Sequence, residues 1–144
     1  MYPTPMSKIY LNTPTESLSR RTLGRITHMT ITWCKKNLGI NQRKSLLPTF
    51  YLSATDTTGL LCGDYDDIDN EICIYYKNVR DVRELVGTVI HEWTHQLQPC
   101  RSKYNKWKGS YNKHPLEVEA FQAEALWTSP CWKDIKRKVN RTKK

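Results

Sequence analysis

The sequence predicts a single α+β domain with an N-terminal helix, a small three-stranded and mainly antiparallel sheet, a central helix and a C-terminal helix. Apolar residues recur at spacings of three and four in the helical segments, as in amphipathic helices. Short β-rich segments separated by turn residues lie between the first two helices. A length of 144 residues suffices for one hydrophobic core and is too short for two.

The N-terminal helix is predicted from Ser17 to Leu38. Ser17 or Ser19 is the candidate N-cap, and Gly39 is the candidate C-terminal stop. The predicted buried stripe consists of Leu18, Ile26, Met29 and Trp33. His28 lies beside this stripe, and because a lone histidine there is more often a packed or surface residue than a ligand, we expect it to lie outside any metal site.

Three β-rich segments follow this helix, at 46–54, 59–65 and 71–76. Pro48 has no backbone N–H to donate, so the first segment is predicted to be an edge strand or to begin after the proline. The second and third segments are joined by the turn-forming residues DYDDIDN. They are therefore predicted to form an antiparallel hairpin.

The central helix has the strongest pattern in the chain. Its predicted buried stripe consists of Val82, Leu85, Val86, Val89, Ile90, Trp93 and Leu97. Asp81 and Glu84 resemble a capping box at its start, with Asp in place of Ser or Thr. Pro99 is predicted to end it.

The same helix contains the pentapeptide HEWTH, from His91 to His95. Residues four apart on a helix are neighbours, so His91 and His95 can direct their imidazoles at one metal ion. Glu92 stands beside that position and can move a proton to and from a metal-activated water. An accidental match is the alternative, since the motif fixes only three positions, but its place on an amphipathic helix favours a metal site.

The C-terminal helix is predicted from Leu116 to Trp127, with Pro115 at its first position and Pro130 beyond its end. It carries three acidic residues, Glu117, Glu119 and Glu124. The preceding loop contains Tyr104 and Tyr111, either of which could donate a hydrogen bond to an oxyanion near the metal.

Two histidines leave a zinc ion underligated, because catalytic zinc sites have three protein ligands and one open position. Glu117, His114 and Glu119 are the candidates for the third ligand, with Glu124 a more distant one. An acidic helix start that complements the helix dipole is the structural alternative for the glutamates.

With these motifs the chain resembles the zincin metallopeptidases, in particular small gluzincin-like domains in which HExxH precedes a glutamate on a second helix. Residues 117–120, EVEA, match the first four positions of the gluzincin pattern E-x-x-A-D/N. This resemblance implies a compact zincin-like domain with Glu117 as the third ligand. Phe121 departs from the pattern, since it stands where an Asp or Asn supports the site, so that support must come from another residue.

The chain also looks like compact phage-encoded and SprT-like metallopeptidases, whose third ligand is a histidine. That second resemblance implies His114 in this role. Glu119 is a further alternative by its position in the sequence alone. Both resemblances imply a zinc-dependent metallopeptidase that binds one Zn²⁺ per chain through His91 and His95, and the gluzincin-like resemblance adds Glu117 as the preferred third ligand. Glu92 is then the general base, and a peptide or protein is the substrate, held along a strand beside the cleft.

The net charge of +9 predicts attraction to polyanions. Residues 133–144 are predicted to form a basic C-terminal tail outside a catalytic domain of residues 1–132. Their cations are Lys133, Lys136, Arg137, Lys138, Arg141, Lys143 and Lys144. Two alternative functions follow from this charge. One is a nucleic-acid- or protein-binding module with a non-catalytic metal site, and the other is an SprT-like protease that acts on nucleic-acid-bound proteins.

The five cysteines include no C-x-x-C pair and are expected to be free thiols. Cys62 and Cys73 are the one pair that could meet across the hairpin. No run of eighteen apolar residues and no signal-peptide pattern occurs. We therefore expect a cytoplasmic, intracellular protein with no membrane partner, which would act in the host cell if a virus encodes it.

Overall fold

A computed structural model describes residues 8–42, 47–98, 109 and 113–141. Within these residues the chain has the predicted α+β class, with three α-helices and one three-stranded sheet. The elements are α1 (Arg20–Asn37), β1 (Thr49–Ser53), β2 (Gly63–Asp66), β3 (Glu71–Tyr75), α2 (Val82–Leu97) and α3 (Pro115–Val139). Two short 3₁₀ turns, Thr15–Ser17 and Tyr76–Asn78, precede α1 and α2.

Helix α1 begins after Ser19, whose side chain accepts a hydrogen bond from the backbone N–H of Thr22. Of the two predicted caps, Ser19 is therefore the correct one, and Ser17 lies in the preceding 3₁₀ turn. The helix ends at Asn37, and Gly39 follows with a positive φ of 87°, a conformation that glycine adopts without steric cost. His28 is exposed, as expected.

The sheet is mixed, with strand order β1-β3-β2. The predicted β2–β3 hairpin is confirmed, because these strands pair antiparallel. The prediction of a mainly antiparallel sheet is wrong, since β1 pairs parallel with β3. Strand β3 lies between β1 and β2, and its consecutive residues Ile72, Cys73 and Ile74 are all buried. A continuous buried run of this kind is typical of a strand shielded on both faces. Strand β1 is an edge strand that begins just after Pro48, as predicted.

Helix α2 lies at the centre of the domain, between α1, α3 and the sheet. The side chain of Asp81 accepts a hydrogen bond from the backbone N–H of Glu84 at 2.9 Å, which confirms the predicted cap. All seven residues of its predicted stripe are buried or packed against the core. The helix ends at Leu97, and Pro99, the predicted stop, lies outside the described residues.

Helix α3 is longer than predicted, because it continues through Pro130 to Val139. A proline inside a helix costs about 3 kcal/mol relative to alanine. Burial of apolar side chains beyond the proline offsets that cost. These side chains are Cys131, Trp132, Ile135 and Val139.

The predicted division of the chain at residue 132 is therefore not a structural boundary. Residues 133–139 are the last turns of α3, and Ile135 and Val139 in this segment belong to the same core as α1 and α2. Alternating burial and exposure gives these turns a basic outer face and an apolar inner face. A basic tail could begin only after Val139.

The described cysteines Cys34, Cys62, Cys73 and Cys131 are free, as predicted. The hairpin register explains why the one candidate pair does not meet, since Cys73 lies opposite Asp64 and not Cys62. None of the helices in the described ranges combines the length and the hydropathy that crossing a membrane requires.

Candidate metal centre

The two histidines of HEWTH lie side by side on α2, with their ring centroids 5.0 Å apart. His91, Glu92 and His95 are all buried, and each offers a ligand atom within 4.8 Å of the others. Such a group of nitrogen and oxygen donors could hold a metal ion. Burial of three polar side chains in one place costs free energy unless they are paired or bind a ligand.

Helix α3 brings Glu117 to the two histidines. Glu117 Oε1 lies 2.7 Å from His95 Nε2 and 3.3 Å from His91 Nε2, and the side chain is almost fully buried. Donor atoms about 2.0–2.2 Å from a tetrahedral ion are about 3.3–3.6 Å apart, so the His91–Glu117 separation lies at the short end of the range for such a site. The His95–Glu117 separation is shorter and is that of a direct hydrogen bond.

The alternative ligands have other contacts. His114 is the N-cap of α3, and its Nδ1 accepts a hydrogen bond from the backbone N–H of Leu116 at 3.1 Å. Glu119 Oε1 accepts a hydrogen bond from Gln98 Nε2 at 3.0 Å. Among the contacts of the described residues, those of Glu117 reach both histidines.

Each histidine also has a partner on its second ring nitrogen. His91 Nδ1 lies 3.2 Å from Glu124 Oε1, and His95 Nδ1 lies 2.7 Å from Gln98 Oε1. Gln98 in turn donates to the backbone carbonyl of Leu116 at 2.8 Å, which ties the end of α2 to the start of α3. Contacts of this kind fix the ring orientation and direct Nε2 toward a common point.

Glu124 and Gln98 support the histidines, a role that was not predicted from the sequence. Glu124 follows Glu117 by seven residues, which is two helical turns and therefore the same face of α3. Phe121, which replaces the expected Asp or Asn, packs against His91 with the ring centroids 4.6 Å apart. The contact with His91 that a polar side chain at position 121 could have supplied comes from Glu124, one turn further along α3. The seven-residue spacing could have revealed it.

Two glycines allow the elements of the site to approach α2. A Cβ on Gly87 would lie 2.9 Å from Glu124 Cγ, and a Cβ on Gly63 would lie 2.7 Å from Thr88 Cγ2 and 3.3 Å from Glu92 Cγ. Gly87 thus gives the Glu124 side chain room to reach His91. Gly63 lets strand β2 lie directly against the turn of α2 that carries Glu92.

The carboxyl group of Glu92 has an unusual affinity for protons. Burial raises its pKa to about 7, and the negative charges of Glu117 and Asp64 act in the same direction, although the two histidines partly oppose the shift. A carboxyl group with a pKa near neutrality can both accept and release a proton at physiological pH. This is the property that a general acid–base group requires.

His91 lies between two carboxylates. Burial lowers its pKa, but the hydrogen bonds to Glu117 and Glu124 and the charges of Glu92 and Glu117 outweigh burial and raise the pKa to about 9. Because this value lies above that of an unfolded-chain histidine, the protonated ring stabilises the fold fully below about pH 6.5. The contribution is lost as the pH rises through about 9.

We therefore expect the free energy of unfolding of the metal-free chain to fall between pH 6.5 and pH 8.5. The Glu92 shift acts in the same direction, because its pKa is raised from 4.5 to about 7. Urea unfolding in the presence of a chelator measures the effect, and His91→Gln should flatten the pH profile. A stability that rises over this interval would contradict the ion-pair arrangement.

A cleft of about 280 Å³ adjoins the buried group. Its walls come from α2, α3 and the segment that leads into β2, and its lining residues include His91, Glu92, Leu61, Cys62 and Phe121. The Cys62 thiol is directed toward Glu84 Oε1 at 3.4 Å, and burial together with Glu84 raises its pKa to about 12. Tyr104 and Tyr111, the predicted oxyanion donors, lie outside the described residues.

Comparisons of this chain with protein-family models, curated proteins and solved structures gave no significant match. Its function therefore has to be argued from the residues and geometry of the site itself.

Proposed function

We propose that this chain is a zinc-dependent metallopeptidase. The observation that supports the proposal most strongly is the approach of Glu117 Oε1 to both His91 Nε2 and His95 Nε2, at 3.3 and 2.7 Å. Glu92 lies next to these atoms and lines an open cleft. A structural site would bind its ion with four Cys or His ligands and would have no use for a buried carboxylate beside it.

The donor set supports zinc as the metal. Two imidazoles and one carboxylate are a known ligand set of catalytic zinc sites, and they leave one coordination position open. Calcium and magnesium prefer sites built from oxygen donors alone. When bound, a zinc ion polarises a carbonyl oxygen and lowers the pKa of a coordinated water.

Glu92 is the proposed general base and general acid. Its carboxylate accepts the proton of the attacking water and then donates that proton to the nitrogen of the departing amine. In the metal-free chain the raised pKa keeps the two protonation states of Glu92 close in free energy at neutral pH. Exclusion of solvent around this buried side chain strengthens its interactions with charges that develop in the transition state.

Strand β2 is the proposed guide for the substrate backbone. It lies at the edge of the sheet, and Cys62 O accepts a hydrogen bond from Tyr75 N at 2.8 Å. Because backbone groups alternate direction along an antiparallel pair, the next residue, Gly63, directs its N–H and C=O away from β3. An extended peptide can pair with these groups and so lie across the cleft beside Glu92.

The replacement Gly87→Ala should separate stability from activity. The added Cβ would displace the flexible Glu124 side chain from His91 Nδ1, whereas alanine is favoured over glycine in a helix by about 1 kcal/mol. We expect unchanged or higher thermal stability together with a zinc affinity lowered by about 10–100-fold, the usual effect of losing such a support. Competition with a calibrated chelator measures the affinity.

Gly24→Ala is the matched control for this replacement. Gly24 also lies in a helix, and among the described residues its added Cβ would meet only Leu52 Cδ1, at an ordinary 3.6 Å. It should raise stability without changing zinc affinity. Equal zinc affinities in the two variants would show that Glu124 does not support His91.

Chelation and reconstitution test the proposed function directly. We expect zinc-loaded protein to hydrolyse casein, a chelator to abolish hydrolysis, and added zinc to restore it. A protein that binds one zinc per chain but cleaves neither casein nor a mixed peptide library would contradict the peptidase proposal and favour a non-catalytic metal site.

A further inference from the structure

The charges of this chain are segregated along the sequence. All acidic residues except Glu16 and Asp134 lie between Asp56 and Glu124, in the part that builds the sheet and the candidate metal centre. Helix α1 contains no acidic residue, and residues 133–141 contain only Asp134. The cations of these two segments are Arg20, Arg21, Arg25, Lys35, Lys36, Lys133, Lys136, Arg137, Lys138 and Arg141.

The fold joins the two basic segments. Arg25 in α1 donates to the backbone carbonyls of Lys138 and Val139 at 2.5 and 2.8 Å, and Trp33 Nε1 donates to Asp134 at 2.7 Å. Trp33 follows Arg25 in α1, but its partner Asp134 precedes the partners of Arg25 in α3. The two helices therefore lie antiparallel. The Trp33 contact also engages Asp134, the one acidic side chain of the second segment.

Exposed basic side chains of α1 share the helix face that points to solvent. Arg21, Lys35 and Lys36 are exposed and lie on the side of α1 opposite its buried residues Leu23 and Thr30, whereas Arg25 is half-buried against α3. In α3 the exposed Lys133, Lys136, Arg137 and Lys138 flank the buried Ile135 and Val139 in the same way. We call the joint surface of these α1 and α3 cations the basic face. Neither α1 nor residues 133–141 line the cleft at the metal centre.

We propose that the basic face binds the phosphate backbone of double-stranded nucleic acid. Helix α1 is about 27 Å long at 1.5 Å per residue, which matches about eight base pairs at 3.4 Å each. Cations spread over such a length contact successive phosphates, and the released counterions supply an affinity without base specificity. The binding is independent of the proposed peptidase activity.

The rest of the surface composition favours this partner over two others. Among the described residues, none of the exposed large hydrophobic side chains lies on α1 or in residues 128–141. A helix that inserts into an anionic membrane needs such side chains on its contact face. Single-stranded nucleic acid is held mainly by stacking of bases on exposed aromatic rings, and Trp33 and Trp132 are buried here.

Fluorescence anisotropy with a labelled 20-base-pair DNA duplex tests the proposal on the full chain. Two face variants each remove three exposed cations, and a control variant removes three exposed cations elsewhere. The variants are Arg21→Gln/Lys35→Gln/Lys36→Gln, Lys133→Gln/Lys136→Gln/Arg137→Gln and, as the control, Lys77→Gln/Arg80→Gln/Arg83→Gln. Arg25 is left unchanged because it holds α1 against α3.

We expect wild type to bind the duplex with an affinity that falls steeply with salt. Each face variant should bind at least about tenfold more weakly at low salt and should lose about 0.9 from the salt slope for each phosphate contact removed. The control variant has the same net charge as each face variant. It should nevertheless bind within about twofold of wild type.

Several results would overturn the proposal. Absence of duplex binding by wild type at 50 mM salt is one, and equal losses in the face and control variants are another. Tighter binding to a single strand of the same sequence, or to vesicles containing phosphatidylserine, would assign the face to a different partner. Thermal melting of each variant excludes unfolding as the cause of a loss, and the two face variants give independent readings.

Discussion

Replacing Glu92 with glutamine is expected to reduce peptide hydrolysis by about 10²–10⁴-fold, the usual contribution of a general acid–base group. Glutamine preserves the size of the side chain but cannot accept the proton of the attacking water. Zinc should stay bound, because the other donors, His91, His95 and Glu117, are unchanged. Casein hydrolysis and zinc content measured on the same preparation give the two readouts.

Glu92→Gln should also change the thermal stability of the metal-free protein. Because burial raises the pKa of Glu92 to about 7, the ionised carboxylate opposes folding above that pH, and neutral glutamine removes this cost. We expect metal-free Glu92→Gln to melt at a higher temperature than wild type at pH 8. Glu16→Gln, at an exposed position outside the cleft, is the control and should leave both hydrolysis and melting unchanged. Full activity in Glu92→Gln would exclude Glu92 as the base.

Replacing Glu117 with alanine is expected to remove zinc from the protein. Glu117 is the donor that α3 contributes at 2.7 and 3.3 Å from the two histidines, and two imidazoles alone leave a zinc ion underligated. The zinc content should fall from one per chain to below about one tenth after dialysis, and hydrolysis should disappear with it. Elemental mass spectrometry after dialysis measures the content.

Two variants on the same helix serve as controls for Glu117→Ala. His114→Ala removes an N-cap and should cost about 1 kcal/mol of stability without loss of zinc. Glu119→Ala removes an acceptor of Gln98 and should lower zinc affinity only slightly. If zinc is lost in His114→Ala and retained in Glu117→Ala, the third ligand is the histidine that the SprT-like resemblance implies.

Local features of the sequence predicted the elements that carry the site. Helix α2, its Asp81 cap and the neighbouring histidines follow from spacing along one segment, so periodicity alone identifies them. The end of α3 could not be predicted in this way. Pro130 signals a stop, and the helix continues because Ile135 and Val139 reach a core built by other elements. Tertiary burial outweighs local propensity here.

The order of the strands and the surroundings of the histidines depend on contacts between distant segments. The parallel pairing of β1 with β3 makes the sheet mixed, where a mainly antiparallel sheet was predicted. Gln98 supports His95 and Glu124 supports His91 only because α2 and α3 pack together. The sequence offered four candidates for the third donor. Which of them lies near the two histidines depends on where α3 begins and how it packs on α2.

X-ray absorption at the zinc edge tests the central claim most directly, since it reports the donor atoms around the ion. For zinc-loaded wild type we predict four nitrogen or oxygen donors at about 2.0–2.2 Å, with the scattering pattern of two imidazoles and no sulfur. A sulfur shell at about 2.3 Å would indicate a cysteine ligand such as Cys62, which lines the same cleft. That result, or a single imidazole, would contradict a zinc site formed by His91, His95 and Glu117.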